Sequence, residues 1–122
     1  MSKLLNDFFF TDEVKTDGTA IHALVKINAA HAIFEGHFPG MPVVPGVCMM
    51  QMVKEILEHE TGKKLSLQKA DHIKFLSVLN PNEHTDLKTE IQITEAESTL
   101  NVTASLFNNS TIFFKLKGTF SA

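Results

Sequence analysis

Val47-Cys48-Met49-Met50-Gln51-Met52-Val53-Lys54-Glu55-Ile56-Leu57-Glu58-His59-Glu60 is rich in Met and Leu and holds neither Pro nor Gly. It sets Met49, Val53, Ile56 and Leu57 at helical spacing. This is the one clear helix. Its first two turns are apolar nearly all round, so the pattern predicts burial on every side there and contact with water only over the last two turns.

Around that helix the hydrophobic period is two. Ile21, Ala23, Val25 and Ile27 alternate with His22, Lys26 and Asn28, interrupted only by Leu24, which predicts a half-buried strand over 20–28. Past Gly62 a strand is expected from Ser66 to Phe75, followed by a break at Pro81-Asn82. Leu87, Ile91 and Ile93 then alternate with Lys88, Glu90, Gln92 and Thr94. The same holds for Leu100, Val102, Ala104 and Leu106, and for Ile112, Phe114, Leu116 and Phe120 against Phe113, Lys115, Lys117 and Thr119. Asn108-Asn109 suits a tight hairpin, since Asn tolerates positive φ. The expected class is α+β: an antiparallel sheet with one long helix, inserted early, whose apolar half the sheet must cover.

A length of 122 residues and 13.6 kDa fits one domain, 1–122, with 43% hydrophobic and 20% charged residues and neither repeat nor low-complexity tract. All 11 basic residues are Lys, against 14 acids, for a net charge of -3. Duplex nucleic acid is thereby disfavoured as a partner, because phosphate neutralisation needs a basic excess and Arg is the favoured reader. A lone Cys48 allows no internal disulfide, no apolar run is long enough to span a bilayer, and Met1 to Phe10 lacks secretory order; a reducing, cytoplasmic setting is expected.

The chemistry concentrates in Phe34-Glu35-Gly36-His37-Phe38-Pro39-Gly40-Met41-Pro42-Val43-Val44-Pro45-Gly46-Val47, which holds three of the six Gly and three of the four Pro between Gly36 and Gly46. Read physically, it is a rigid loop delivering one His and a helix N-terminus to one neighbourhood, and unpaired amides there favour an anionic oxygen. Such a site suits an enolate-like or oxyanion intermediate.

His37 to Val47 resembles the signature of the hotdog-fold 3-hydroxyacyl-acyl carrier protein dehydratases of fatty-acid synthesis. The likeness runs from Asn28 through the helix and more faintly through Ala70 to Phe75, Pro81 and Asp86-Leu87 to the closing strands. It implies a sheet wrapped around a central helix, and a homodimer or higher oligomer with sheets joined edge to edge. It also implies sites shared between subunits, and no cofactor beyond the 4'-phosphopantetheine of an acyl carrier protein that presents the acyl thioester. His37 matches the catalytic His, and Gly46, followed by Val47, matches the Gly whose amide polarises the thioester carbonyl. The family's catalytic carboxylate falls at Gln51, and the Gln that follows it by four residues falls at Glu55, so the two side chains look exchanged. Phe34, Phe38, Met49 and Met50 are candidates to line an apolar acyl pocket.

Gln51 is expected to line the site because its own turn is otherwise apolar. Glu55, among Lys54, Glu58, His59 and Glu60, is expected on a solvated face, with a relocated catalytic carboxylate as the rival reading. Lys63, Lys64, Lys69 and Lys74 could meet an acidic carrier protein or solvate a surface, while Leu76-Ser77 replaces a basic pair of the family. The remaining His show no zinc-site spacing, and no metal is expected. Two alternatives to a dehydratase stay open: a non-catalytic acyl-thioester binding or pairing subunit, which the amide of Gln51 favours, and a hotdog thioesterase, against which the Pro-rich loop speaks.

Overall fold

The computed structural model describes residues 3–35, 42–84 and 86–122. Strands β1 (Phe9–Asp17) and β2 (Ala20–Ile27) precede the helix α1 (Gly46–Thr61), and β3 (Ser66–Phe75), β4 (Leu87–Glu95), β5 (Thr99–Phe107) and β6 (Ile112–Ser121) follow it. The six strands form one antiparallel sheet in the order β1-β2-β4-β5-β6-β3. The α+β expectation and the early insertion of the helix match this arrangement.

The alternation read from the sequence becomes the inner face of the sheet. Ile21, Val25, Leu87, Ile91, Leu100, Val102, Ala104, Leu106, Leu116 and Phe120 are buried in one core with Cys48, Met49, Met52, Val53, Ile56 and Leu57 of α1. The helix begins after Pro45, whose fixed φ of -62° suits a helix entry, and ends at Gly62, whose φ of 72° is the left-handed conformation that Gly adopts without strain.

Several expectations need correction. β1, for which the sequence carried no expectation, lacks alternation: only Phe9 is fully buried, and a bulge between Asp12 and Lys15 with Glu13 at φ 48° breaks its register, so pairing with β2 and not a hydrophobic stripe defines it. Asn108-Asn109 is no two-residue positive-φ hairpin. The Asn108 amide donates to the Thr111 carbonyl at 2.9 Å, and its side-chain oxygen accepts from the Ser110 and Thr111 amides at 2.9 and 2.8 Å, so a wider turn is held by the Asn side chain. On β6, Phe113 is buried and Ile112 exposed. The segment after β3 crosses that face: the Leu76 amide donates to the Phe113 carbonyl at 2.9 Å, and the His84 ring packs on Phe113 at 4.8 Å. Val47, expected inside, is 58% exposed, because the sheet leaves the first turn of α1 uncovered on that side.

β3 is an edge strand with exposed residues on both faces; only Leu67 and Ile73 are half-buried. It reaches the sheet through two bulges, at Leu67/Lys69 and Ala70/His72, opposite Gly118. A Cβ on Gly118 would stand 2.6 Å from the Lys69 carbonyl oxygen, a backbone atom that cannot swing aside. Gly118→Ala should therefore lower stability by about 1–3 kcal/mol and speed amide exchange along β3, read by urea titration and hydrogen exchange. Unchanged exchange on β3 would show that the bulges absorb the methyl group.

Candidate functional site

The loop that enters α1 is tied down where it meets the fold. The Val44 amide donates to the Leu79 carbonyl at 2.9 Å, and the Val44 side chain is buried. Pro45 then sets the direction of the helix with an extended ψ of 145°, and among the described residues no side chain caps the first turn. The Cys48 and Met49 amides donate to the Pro45 carbonyl at 3.0 and 3.3 Å. The amides of Gly46 and Val47, as the first two of a helix, have no partner within it, and the macrodipole favours negative charge beside them. The ring of Phe75, itself 54% exposed, lies over Gly46; a Cβ there would come within 2.7 Å of a ring carbon. A Gly at this position thus allows an aromatic wall to stand against the helix start.

His37 and Phe38 lie outside the described residues. Phe34 closes a short 3-10 turn, Ala32–Phe34, whose Ile33 amide donates to His31 Nδ1 at 3.0 Å, and its ring packs on Phe8 with centroids 5.4 Å apart. Met49 is buried in the core and Met50 half-buried.

The largest departure concerns Glu55. The expected solvated carboxylate is 4% exposed. Leu4 donates its amide to both carboxylate oxygens at 2.9 Å, Leu5 donates to Oε1 at 2.8 Å, and Gln51 Nε2 donates to Oε2 at 2.8 Å. Burial of a carboxylate is tolerable here because its lone pairs are occupied by donors. The side chain is an anchor for the amino-terminal segment, where Leu4, Leu5, Phe8 and Phe9 are buried against the core. Sequence reasoning missed this link: the partners are some fifty residues apart, and the apolar pairs Leu4-Leu5 and Phe8-Phe9 were the only hint that the segment packs inward.

Gln51 is thereby oriented. One amide hydrogen is committed to Glu55, leaving the second hydrogen and the carbonyl oxygen to meet other groups. Gln51 and Glu55 border an open depression of about 660 Å³ that continues to Glu58 and the Gly62 turn. Burial pushes the Cys48 thiol above its ordinary pKa, so Cys48 is a core side chain and a poor nucleophile. Among the described residues no cluster of three or more His, Cys, Asp or Glu could hold a metal, and no helix is long and apolar enough to cross a membrane.

A family model described as ApeI-like, ApeI dehydratase, matches residues 13–112. The 3-hydroxyacyl-acyl-carrier-protein dehydratase FabZ of Chlamydia trachomatis serovar L2 is 31% identical over 106 residues, covering 77% of this chain and 66% of that protein. FabZ of Caulobacter strain K31 is 32% identical over 85 residues, covering 62% of this chain and 50% of that protein. The chain thus spans between half and two thirds of the length of these two relatives. Among solved structures, the dehydratase heterocomplex ApeI:P from Xenorhabdus doucetiae superposes with a TM-score of 0.74 at 18% identity, over 93% of this chain and 97% of that one. An uncharacterized protein from Erwinia carotovora subsp. atroseptica superposes with a TM-score of 0.62 at 18% identity, over 91% and 90%. At that identity the superpositions establish the fold, the hotdog arrangement of sheet and helix.

Truncating the anchor strands two buried amide donors, so Glu55→Ala should cost about 2–5 kcal/mol and release the amino-terminal segment, read as faster exchange of the Leu4 and Leu5 amides. Gln51→Ala removes one hydrogen bond and should cost about 1 kcal/mol with those amides still protected. Equal exchange in both variants would contradict the anchor.

Proposed function

Because the chain belongs to the ApeI-like dehydratase family, we propose that it eliminates water from 3-hydroxyacyl thioesters carried on the 4'-phosphopantetheine of an acyl carrier protein. The product is the 2-enoyl thioester, in fatty-acid or related lipid or polyene synthesis. The observation that carries the proposal is the family match over residues 13–112, which includes the His37 loop and the whole of α1. It favours elimination over thioester hydrolysis. A free, buried Cys48 suits the reducing cytoplasm in which the proposal places the protein.

In this reading residues 1–122 act as one hotdog domain. His37 takes the α-proton, and the Gly46 and Val47 amides at the start of α1 hold the negative charge that builds on the thioester oxygen. Gln51, steadied by Glu55, holds the β-hydroxyl by hydrogen bonding. Phe34, Phe38, Met49 and Met50 form the apolar surroundings of the acyl chain. The proton balance closes on His37: the imidazolium formed by abstraction returns its proton to the departing hydroxide, giving water and a neutral imidazole. Glu55 is not the acid, since its oxygens are occupied by the Leu4, Leu5 and Gln51 donors.

The Gln51–Glu55 pair also favours a second reading, in which this chain binds the acyl thioester and a second hotdog subunit supplies the missing acid. The two are separated by turnover, followed as loss of the enoyl absorbance on hydration. For the dehydratase, the parent is active and His37→Ala is not. The exchange Gln51→Glu with Glu55→Gln should raise the parent rate by the ~100-fold that a positioned acid contributes. A parent that binds acyl thioester but turns over no 3-hydroxyacyl substrate alone establishes the pairing subunit.

The protein is further proposed to be a homodimer joined along β3. The free edge of that strand and the exposed Val47, Phe75, Leu76 and Val78 support it, since an open strand edge beside exposed apolar side chains invites pairing. Light scattering should report twice the 13.6 kDa chain mass, and Phe75→Lys with Val78→Lys should shift it toward the monomer.

A further inference from the structure

The segment ahead of β1 fastens to both parts of the candidate site. Leu4 and Leu5 bind the Glu55 carboxylate, which is bonded in turn to Gln51. A few residues on, the same segment meets the chain that leads into the His37 loop. The Phe8 carbonyl accepts the Asn28 amide at 2.8 Å, and the Asp7 carbonyl accepts from Asn28 Nδ2 at 3.1 Å. His31 Nε2 lies 3.1 Å from Asp7 Oδ2. Phe8, fully buried, sets its ring against both His31 and Phe34, with centroids 5.3 and 5.4 Å apart.

Two fastenings act together only when the piece between them is stiff. Here the Leu4 carbonyl receives the Asp7, Phe8 and Phe9 amides at 3.1, 2.7 and 3.2 Å, and the Asn6 amide returns to the Phe9 carbonyl at 2.8 Å. Asn6 makes this turn at φ 69°, a left-handed conformation that Asn accepts better than most residues. Leu4 to Phe9 is therefore a closed, self-bonded turn, and a displacement at one end is carried to the other. At the far end, His31 Nδ1 accepts the Ile33 amide at 3.0 Å and so carries no proton there, which leaves the hydrogen on Nε2 to be donated to Asp7. One imidazole thus caps the 3-10 turn Ala32–Phe34 and ties it to the turn 4–9. His37 follows Phe34 by three residues.

We propose that Asp7 and His31 are positioning residues of the dehydration site: through the turn 4–9 they set the His37 loop against Gln51. Both act through the loop and not on the substrate. The inference rests on the dehydratase reading for the reaction it serves. Residues 4–9 lie ahead of the stretch 13–112 that matches the family, so the turn is no part of that likeness. Elimination needs the base and the group that holds the hydroxyl in fixed register, and a slight misplacement slows the step without weakening the hold on the acyl chain.

The test combines steady-state hydration of an enoyl thioester with amide exchange on the full chain, and circular dichroism verifies the fold of each variant. Asp7→Ala and His31→Ala should each lower kcat about 10-fold with KM changed less than ~2-fold. Exchange at Ile33, Phe34 and Glu35 should quicken in both. Asp7, largely exposed, carries the test if His31→Ala does not fold. Asp7→Asn keeps an oxygen for the Nε2 hydrogen and should restore kcat to within ~2-fold of the parent. Asn101→Ala removes an exposed side-chain hydrogen bond of the same 3.1 Å length, from Thr119 on the sheet, and should leave kcat within ~2-fold. Parental kcat in Asp7→Ala, an Asp7→Asn variant as slow as Asp7→Ala, or an equal loss in Asn101→Ala overturns the positioning role. Because exchange needs no turnover, an inactive parent whose Asp7→Ala variant loosens Ile33 to Glu35 upholds the fastening and refutes the dehydratase reading alone. Unchanged exchange in Asp7→Ala overturns the fastening whatever the activity.

Discussion

Burial of α1 is the constraint on which the rest of this structure depends. Six of its seven buried side chains are Cys48, Met49, Met52, Val53, Ile56 and Leu57, and an isolated helix of this length could not keep them from water. One layer of sheet supplies the cover. Strands β2, β4, β5 and β6 turn their alternate residues inward, Phe114 and Phe120 among them. With the helix enclosed by a single sheet, the line it leaves partly open is narrow, and that line carries Gln51, Lys54 and Glu58.

The seventh buried side chain, Glu55, closes the opposite side. A carboxylate inside an apolar core would be strongly unfavourable unless every lone pair met a donor, and the Leu4 and Leu5 amides and Gln51 provide them. The amino-terminal segment thereby covers helix surface that the sheet does not reach, and Leu4, Leu5, Phe8 and Phe9 join the core. The same bond restricts the rotation of Gln51. Structure and proposed chemistry are thus coupled through one carboxylate: the group that looks like a displaced acid holds the chain together and steadies its neighbour.

The helix start shows a different economy. Pro45 has no side chain that could cap the first amides, and Phe75 stands over Gly46 from the end of the edge strand. A capped helix would be more stable by about 1 kcal/mol, but a cap would occupy the donors proposed to receive the thioester oxygen. Val47, Phe75, Leu76 and Val78 are exposed around this point.

Local pattern alone determined much of this protein. The alternation of β2, β4 and β5 and the helical spacing of α1 place elements within a residue or two of their observed ends, because burial on one face imposes a period that neighbouring residues display. The dense loop from Gly36 to Gly46 likewise marks the candidate site in the sequence itself. What local pattern could not display is anything whose cause is distant. β1 exists because β2 offers it an edge, although its own residues barely alternate, and Phe113 is buried because the segment 76–84 crosses outside it. Glu55 reads as a solvated helix residue among Lys54, Glu58 and Glu60, and only the return of Leu4 and Leu5 to that face makes it a buried acceptor. The free energy of a buried polar group is decided by its partners, and those partners were fifty residues away.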